Sequence, residues 1–306
     1  MNTHHKKAIY YLIATAILWS TSGLFIKLIH WNPMAISATR SGIAALVMLF
    51  FLNYPFLSIS KSTASKNKNI LSSLFSKDLF KKRKTTLLGA VSYALLGILF
   101  VIANKLTTSA NAILLQFTAP IWVALFSHWF LKEKIRKSDW VAISISMFGM
   151  VLFFFGDLNP GYIIGNLIAI SSGVAMAFMV IFLKLEKEGS ALEVTLLGNV
   201  LTLLIGLPFF FLSTPDLMSL FAILLLGTFQ FGISYILYTA AIPHVSALEA
   251  ILIPIIEPLL NPVWVFLFTK ELPGGHAFLG GFIVIGSIFI RSVYQEKKRK
   301  LTMQKL

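Results

Sequence analysis

Residues 250–271 read AILIPIIEPLLNPVWVFLFTKE, and residues 112–133 read AILLQFTAPIWVALFSHWFLKE. At a constant offset of 138 residues, seven of these 22 positions are identical, including Pro120 with Pro258 and Glu133 with Glu271. A match of this length at a fixed distance indicates an internal repeat. We therefore predict two repeated halves, 1–155 and 156–306.

The composition around these stretches is that of a membrane protein. Of the 306 residues, 57% are hydrophobic and only 12% are charged, whereas soluble proteins carry about 25% charged residues. The net charge of +14 resides mainly in the connections between apolar runs, so we expect no nucleic-acid partner. The absence of cysteine excludes disulfides and thiolate metal sites.

Apolar runs of about 17 to 25 residues span a bilayer as helices. The chain has ten such runs: 8–29, 33–53, 85–105, 109–131, 138–155, 161–183, 192–213, 217–240, 246–268 and 275–293. The first run follows HHKK and has no cleavage pattern, so we predict a retained membrane helix rather than a signal peptide.

Lysine and arginine are distributed unequally between the two sides of these spans. With the N-terminus inside, 22 of them fall on the cytoplasmic side and three on the other side. The positive-inside rule then places both termini in the cytoplasm, and the composition suits the inner membrane of a bacterial cell. The basic segment 54–84 is either a short amphipathic helix on the inner leaflet or a disordered tether.

Five spans in each half is an odd number, so the two halves insert in opposite directions. The sequence thus predicts an all-α polytopic membrane protein with ten transmembrane helices in two inverted five-helix repeats. Inverted repeats are typical of secondary transporters, which bind substrate near the bilayer midplane between the repeats.

Several motifs resemble one protein family. LWSTSGLFIKLIHWNPMAISATRSGIAAL at 18–46 is followed by TAPIWVALFSHWFLKEKI at 118–135 and IIEPLLNPVWVFLFTKEL at 255–272. Together they resemble EamA-type members of the drug/metabolite transporter superfamily over essentially the whole chain. Lys132 and Lys270 depart from the glycine that is usual before the motif's glutamate. The resemblance implies that spans four and nine line a central cavity and that the protein is an exporter.

Span nine carries an ionisable group in an otherwise apolar run. Glu257 lies near its centre, where an ionised carboxylate costs at least ~2.5 kcal/mol unless it meets water or a partner. Asn261 follows four residues later, on nearly the same helical face. We interpret Glu257 as a contact for an amino or cationic group or as a proton carrier; a protonated residue that bridges helices is the structural alternative.

The same span contains three prolines at intervals of four, Pro254, Pro258 and Pro262. Each removes the helical hydrogen bond to the carbonyl four residues earlier, and the first of these carbonyls belongs to Ala250. Unpaired carbonyls are tolerated in a membrane where they line a cavity. Span four mirrors this pattern with Asn111, Gln116 and Pro120, although Ala119 occupies the position equivalent to Glu257.

Other polar or aromatic side chains within spans are further candidates for contact with substrate. Arg40 is expected either to pair with Glu257 or an anionic group, or to anchor the fold. Hydroxyls in membrane helices also bond to their own backbone, so a structural role stays open for Ser20. The full set of additional candidates is Trp19, Ser20, Arg40, Trp122, Gln230, Tyr235 and Tyr238.

Three classes of function were compared. The six histidines have no metal-ligand spacing and there is no phosphate-binding loop, so we expect neither an enzyme nor a cofactor. A scaffold or receptor-like membrane protein would need neither an inverted duplication nor an intramembrane carboxylate. The sequence favours a secondary or facilitative exporter of small polar or amphipathic metabolites such as amino acids. Its expected partners are a small-molecule substrate, the lipid bilayer and, as a candidate coupling ion, the proton.

Overall fold

A computed structural model describes residues 3–53, 84–155, 161–186, 191–214, 216–260 and 275–303. These residues are helical almost throughout and contain no strand. The described residues of the first half form seven helices: α1 (Thr3–Trp19), α2 (Ser22–Leu28), α3 (Pro33–Asn53), α4 (Lys84–Leu106), α5 (Ser109–Gln116), α6 (Ala119–Phe130) and α7 (Lys137–Phe153).

The second half mixes α-helices with tighter and wider turns. Its α-helices are α8 (Ile163–Leu185), α9 (Ala191–Gly206), α10 (Leu217–Leu225), α11 (Ser234–Ala241), α12 (Ala247–Leu252) and α13 (Gly275–Met303). In the part of this half that the structure describes, 3-10 segments cover Leu207–Leu212, Ile242–His244 and Ile253–Ile255. A π-helical segment covers Leu226–Ile233, and residues 256–260 are helical again.

Within the described part of the chain, six helical stretches are long and apolar enough to cross a membrane: Pro33–Leu52, Lys84–Leu106, Ser109–Phe130, Ile163–Leu185, Ala191–Leu212 and Leu217–His244. The protein is therefore an all-helical polytopic membrane protein. The predicted first span is divided between α1 and α2, and span nine is described only to residue 260. The count of ten stays a prediction. Nearly all of 54–84, including its predicted amphipathic helix, lies outside the described residues.

Spans four and nine are both interrupted near their prolines, where the sequence predicts a break. α5 ends at Gln116 and α6 begins at Ala119, with Pro120 in the first turn, where a missing N–H is tolerated. In span nine, Pro254 lies in the 3-10 segment that follows α12. Aligned at the offset of 138, the two interruptions lie within a few residues of each other.

The last helix of each half packs against the other. The hydroxyls of Ser146 on α7 and Ser287 on α13 are 2.6 Å apart, and Arg291 Nε donates to Asp139 Oδ1 at 2.9 Å, with both side chains buried. A Cβ added at Gly280 would lie 2.5 Å from the carbonyl oxygen of Gly149. Small residues thus bring α7 and α13 into backbone contact, and a buried ion pair joins them.

Candidate functional site

A small cavity of about 30 Å³ lies between side chains from both halves of the chain. Its polar lining comes from α1, α3, α5, the π-helical segment, α11 and residues 256–260: Trp19, Arg40, Gln116, Gln230, Tyr235 and Glu257. Leu96, Gly97, Phe100, Met176 and Phe231 complete the wall. Six sequence-predicted residues, separated by up to 238 positions, are thereby brought together around one space.

Among the described residues that line the cavity, Glu257 is the only carboxylate. The residue is 5% exposed, and among the described residues its carboxylate has neither a hydrogen-bond donor nor an ion-pair partner. A buried carboxylate without a partner is costly. The cavity is therefore the place where Glu257 can meet a cation, a proton or water.

Arg40 supplies the opposite charge. It is 1% exposed, its Nη2 donates to the carbonyl oxygen of Gly97 at 2.9 Å, and its guanidinium carbon lies 4.0 Å from the centroid of the Phe231 ring. An aromatic face stabilises a cation at this distance. Nε and Nη1 find no acceptor within the described ranges, and Arg40 forms no ion pair with Glu257 there. The guanidinium is thus fixed in place while part of its donor capacity is unused.

Gln230 lies on the π-helical segment, a type of irregularity that is frequent at functional sites. Its Oε1 is buried and has no donor in the described part of the chain. The main-chain oxygen of Gln230 accepts from the Ser234 hydroxyl, and that hydroxyl accepts from Trp19 Nε1 at 2.9 Å. This chain of bonds fixes the indole of α1 against the wider turn.

Aromatic rings form one wall of the site. The Trp19 ring centroid lies 5.0 Å from that of Tyr235 and 5.1 Å from that of Tyr238, and Tyr235 lies 4.7 Å from Tyr93. Ring pairs at such distances stabilise one another by about 0.5–1.5 kcal/mol beyond burial. The wall is consequently rigid and apolar, with charges at its edges.

Gln116 closes the cavity from the broken fourth span. Its Nε2 donates to Ser172 Oγ at 2.7 Å. Its main-chain carbonyl, which Pro120 leaves without a helical donor, faces Gly173 so closely that a Cβ there would lie 2.6 Å from the oxygen. The interruption of span four therefore depends on a glycine in α8.

Other predicted residues lie outside the cavity lining and have partners. Asn111 donates to Asn166 Oδ1 at 3.0 Å, and the Ser20 hydroxyl donates to the carbonyl of Ile17 at 2.6 Å. Trp122 Nε1 donates to Thr118 Oγ1 at 3.2 Å.

The remaining predicted residues concern the broken ninth span. The Tyr238 hydroxyl donates to the carbonyl of Ala250 at 3.1 Å. Pro258 lies in the helical stretch 256–260, whereas Asn261 and Pro262 lie outside the described residues.

Sequence reasoning did not single out Gly97, Phe231 or Ser234. The interval of four between Gln230 and Ser234 was a signal for a local hydroxyl bond. Nothing in the sequence marks Gly97 as the acceptor for Arg40, because that pairing depends on which helices are neighbours.

Comparisons with known proteins point to one family. The sequence model of the EamA-like transporter family matches residues 6–155 and 163–293. The chain is 27% identical over 222 residues to the uncharacterized transporter YdfC of Bacillus subtilis (strain 168). The aligned region covers 70% of this chain and 72% of the relative. It is 22% identical over 298 residues to the uncharacterized transporter YoaV of the same strain. This alignment covers 92% of this chain and 95% of the relative.

A solved crystal structure has the same fold. It covers 95% of this chain and 98% of its own, with a TM-score of 0.73 and 17% identity. At this identity the likeness concerns the fold alone.

Proposed function

The chain belongs to the EamA-like transporter family, and from that premise we propose that it exports small polar or amphipathic metabolites such as amino acids, as a secondary or facilitative transporter. Membership of a transporter family argues against an enzymatic role. The observation that carries the substrate class is the cavity in which Arg40 and Glu257 coexist without pairing with each other.

The two charges match the two ends of an amino acid. Unused N–H donors on Arg40 suit a carboxylate, because guanidinium binds carboxylate through parallel hydrogen bonds. The carboxylate of Glu257, with the buried Oε1 of Gln230, suits an ammonium group. A zwitterion can pair with both buried charges at once, whereas a simple anion or cation can pair with only one of them.

The rest of the lining suits an apolar side chain. Phe100, Met176 and Phe231 lie in the same wall as Trp19 and Tyr235. The cavity has a volume of about 30 Å³, room for one or two waters, so its walls must separate to admit a substrate. The substrate we propose is small, with an apolar or aromatic portion between its charged groups and this wall.

Transport would proceed by alternating access between the halves 1–155 and 156–306, taken as inverted five-helix repeats. Support comes from the two separate family matches and from helix interruptions at corresponding places in spans four and nine. Broken helices at a repeat interface are a recurrent feature of transporter substrate sites. The uneven distribution of lysine and arginine supports cytoplasmic termini and residence in the cell membrane.

Glu257 has two possible contributions to this cycle, as ligand of the substrate's amino group and as carrier of a coupled proton. Both require the carboxylate, and Gln retains the shape of the side chain without the charge or the exchangeable acid. We expect Glu257→Gln to abolish export while the protein stays inserted and folded.

The test compares metabolites in medium and cytosol for cells that express wild type, Glu257→Gln or Asp216→Asn. Asp216 is a matched control because it is a carboxylate outside the cavity that accepts from Ser219 N at the start of α10. A zwitterion that accumulates outside with wild type and the control, but not with Glu257→Gln, supports the proposal. Equal export by all three contradicts the role of Glu257, and no difference from empty cells favours the scaffold alternative.

A further inference from the structure

Charged and titratable side chains cluster where the N-terminus meets the ends of several cavity-lining helices. We call this cluster the N-terminal gate and define it by His4, His5, Glu133, Lys184, His244 and Glu249. None of these residues lines the cavity. His4 stacks on His244 with ring centroids 5.4 Å apart, and His5 Nε2 lies 3.5 Å from Glu249 Oε1.

Lys184 connects two helices in the gate. Near the end of α8, its Nζ donates to the carbonyl oxygen of Val245 at 2.6 Å and to that of Ile242 at 3.3 Å. These carbonyls close the helical stretch that contains α11, where a helix leaves acceptors unsatisfied and carries partial negative charge. Lys184 thus caps a helix that belongs to the opposite wall of the cavity.

The two carboxylates of the gate are also fixed. Glu249 Oε2 accepts from the backbone N–H of Ser246 at 2.8 Å, which completes the capping box at the start of α12. Glu133 follows α6 and is partly buried. Burial raises the pKa of Glu133, while Lys184 and the backbone N–H of Ala247 oppose that shift. The positive charge of Lys184 interacts with both of these acids.

The gate joins two groups of helices that also face each other across the cavity. One group contains α5, α6 and α8, which supply Gln116 and Met176 to the lining; the other contains α1 and α11, which supply Trp19 and Tyr235. The bonds from Lys184 to the carbonyls of Ile242 and Val245 join the two groups at this end of the bundle, while the N-terminal histidines hold α1 to 244–249 within the second group.

We propose that Lys184 is a positioning residue that holds the N-terminal gate closed, and that its release from the carbonyls of Ile242 and Val245 opens the cavity toward that side of the membrane. This inference rests on alternating access as proposed above, but its test does not depend on the identity of the substrate. Lys184 touches no lining residue through the contacts described, so it acts by holding helices rather than by binding substrate.

The full chain contains no cysteine, so a single Met176→Cys reporter in the cavity gives labelling without background. The probe is a membrane-impermeant, cationic thiol reagent applied to either face of oriented membrane vesicles. We expect Lys184→Met to raise the labelling rate at least tenfold from the face that carries the N-terminus and to leave the other face unchanged. Lys184→Arg should restore slow labelling, and the exposed Lys134→Met is the matched control for loss of a nearby positive charge.

Unchanged labelling in Lys184→Met overturns the inference. A rise from both faces together with a lower melting temperature also overturns it, because that pattern reports general loosening. The substrate proposal can fail separately. In that case export is unaffected by Glu257→Gln, while thiol labelling still rises in Lys184→Met.

Discussion

The hydroxyl of Tyr238 donates a hydrogen bond of 3.1 Å to the main-chain carbonyl of Ala250. Pro254 lies four residues after Ala250 and has no N–H to donate. A side chain from α11 therefore replaces the bond that the ninth span cannot make for itself. This bond lies beside the Trp19 and Tyr235 rings, so it couples the break in the span to the wall of the cavity.

Tyr238→Phe removes this donor and leaves the Ala250 carbonyl without its partner. We expect a loss of about 1–3 kcal/mol in the free energy of unfolding, the usual cost of an unsatisfied buried acceptor. The measurement is reversible unfolding in mixed detergent micelles. A double-mutant cycle with Pro254→Ala is the control, because alanine restores a backbone N–H near the carbonyl. An equal cost of Tyr238→Phe in both backgrounds would contradict the assigned partnership.

We expect Arg40 to bind the carboxylate of the substrate. This role depends on the planar shape of the guanidinium as well as on its charge. Lysine cannot supply the planar fork that bonds to Gly97 while retaining free donors. We expect Arg40→Lys to raise the KM of an exported amino acid by about 10- to 100-fold, which corresponds to loss of one charged hydrogen bond. Transport kinetics in proteoliposomes measure this.

The internal control for Arg40 is the amine that matches the exported amino acid but lacks its carboxylate. Its weaker transport should change little between wild type and Arg40→Lys, because it has no group to bind there. If the amine and the amino acid lose transport equally, Arg40 acts on the fold rather than on the substrate.

Gly173→Ala places a methyl group 2.6 Å from the carbonyl oxygen of Gln116 and 3.0 Å from Thr118 Oγ1. The nearest neighbour is backbone, so the helices must separate, and we expect a destabilisation of about 1–3 kcal/mol. Gly286→Ala is the matched control, since no atom of the described residues outside its own helix lies within 4 Å of the added methyl. Thermal melts in detergent compare the two, and identical melting temperatures would argue against close contact of α5 and α8.

A disulfide between Ser146→Cys and Ser287→Cys should form readily. The hydroxyls are 2.6 Å apart, and the native chain has no competing cysteine. Because a buried ion pair and glycine contacts already hold α7 to α13, we expect the cross-link to leave export within about twofold of the reduced protein. A twofold change in rate corresponds to only about 0.4 kcal/mol in the activation free energy. Export that stops on oxidation and returns on reduction would show that these helices must move apart.

Long apolar runs were the part of the fold that sequence predicted well. The run 33–53 is α3 (Pro33–Asn53), and 85–105 is α4 (Lys84–Leu106) within a residue at each end. Hydrophobic length decides such helices because the bilayer leaves backbone groups no alternative to helical bonding. Proline likewise marked the breaks near 117 and 254. The break after Trp19 and the π-helical turn at Leu226–Ile233 were not predicted, since neither has a proline.

The sequence could predict the polar residues of the candidate site as a set. It could not predict which of them line the cavity and which hold helices together. Asn111 and Gln116 look alike in the sequence, yet Asn111 bonds to Asn166 outside the cavity lining while Gln116 reaches that lining. The ion pair of Asp139 with Arg291 joins residues 152 positions apart. Such choices depend on which helices become neighbours, and hydropathy alone carries no information about neighbours.

The burial of Arg40 has a consequence for how the protein is made. Its helix, α3, leaves the ribosome before Gly97 on α4 and long before Phe231, the two groups that later hold the guanidinium. An arginine at the centre of a newly inserted helix costs about 2.5–3.5 kcal/mol until it is paired. Insertion of α3 is therefore provisional during synthesis, and the charge reaches its final surroundings only after Phe231 in the second half has been translated.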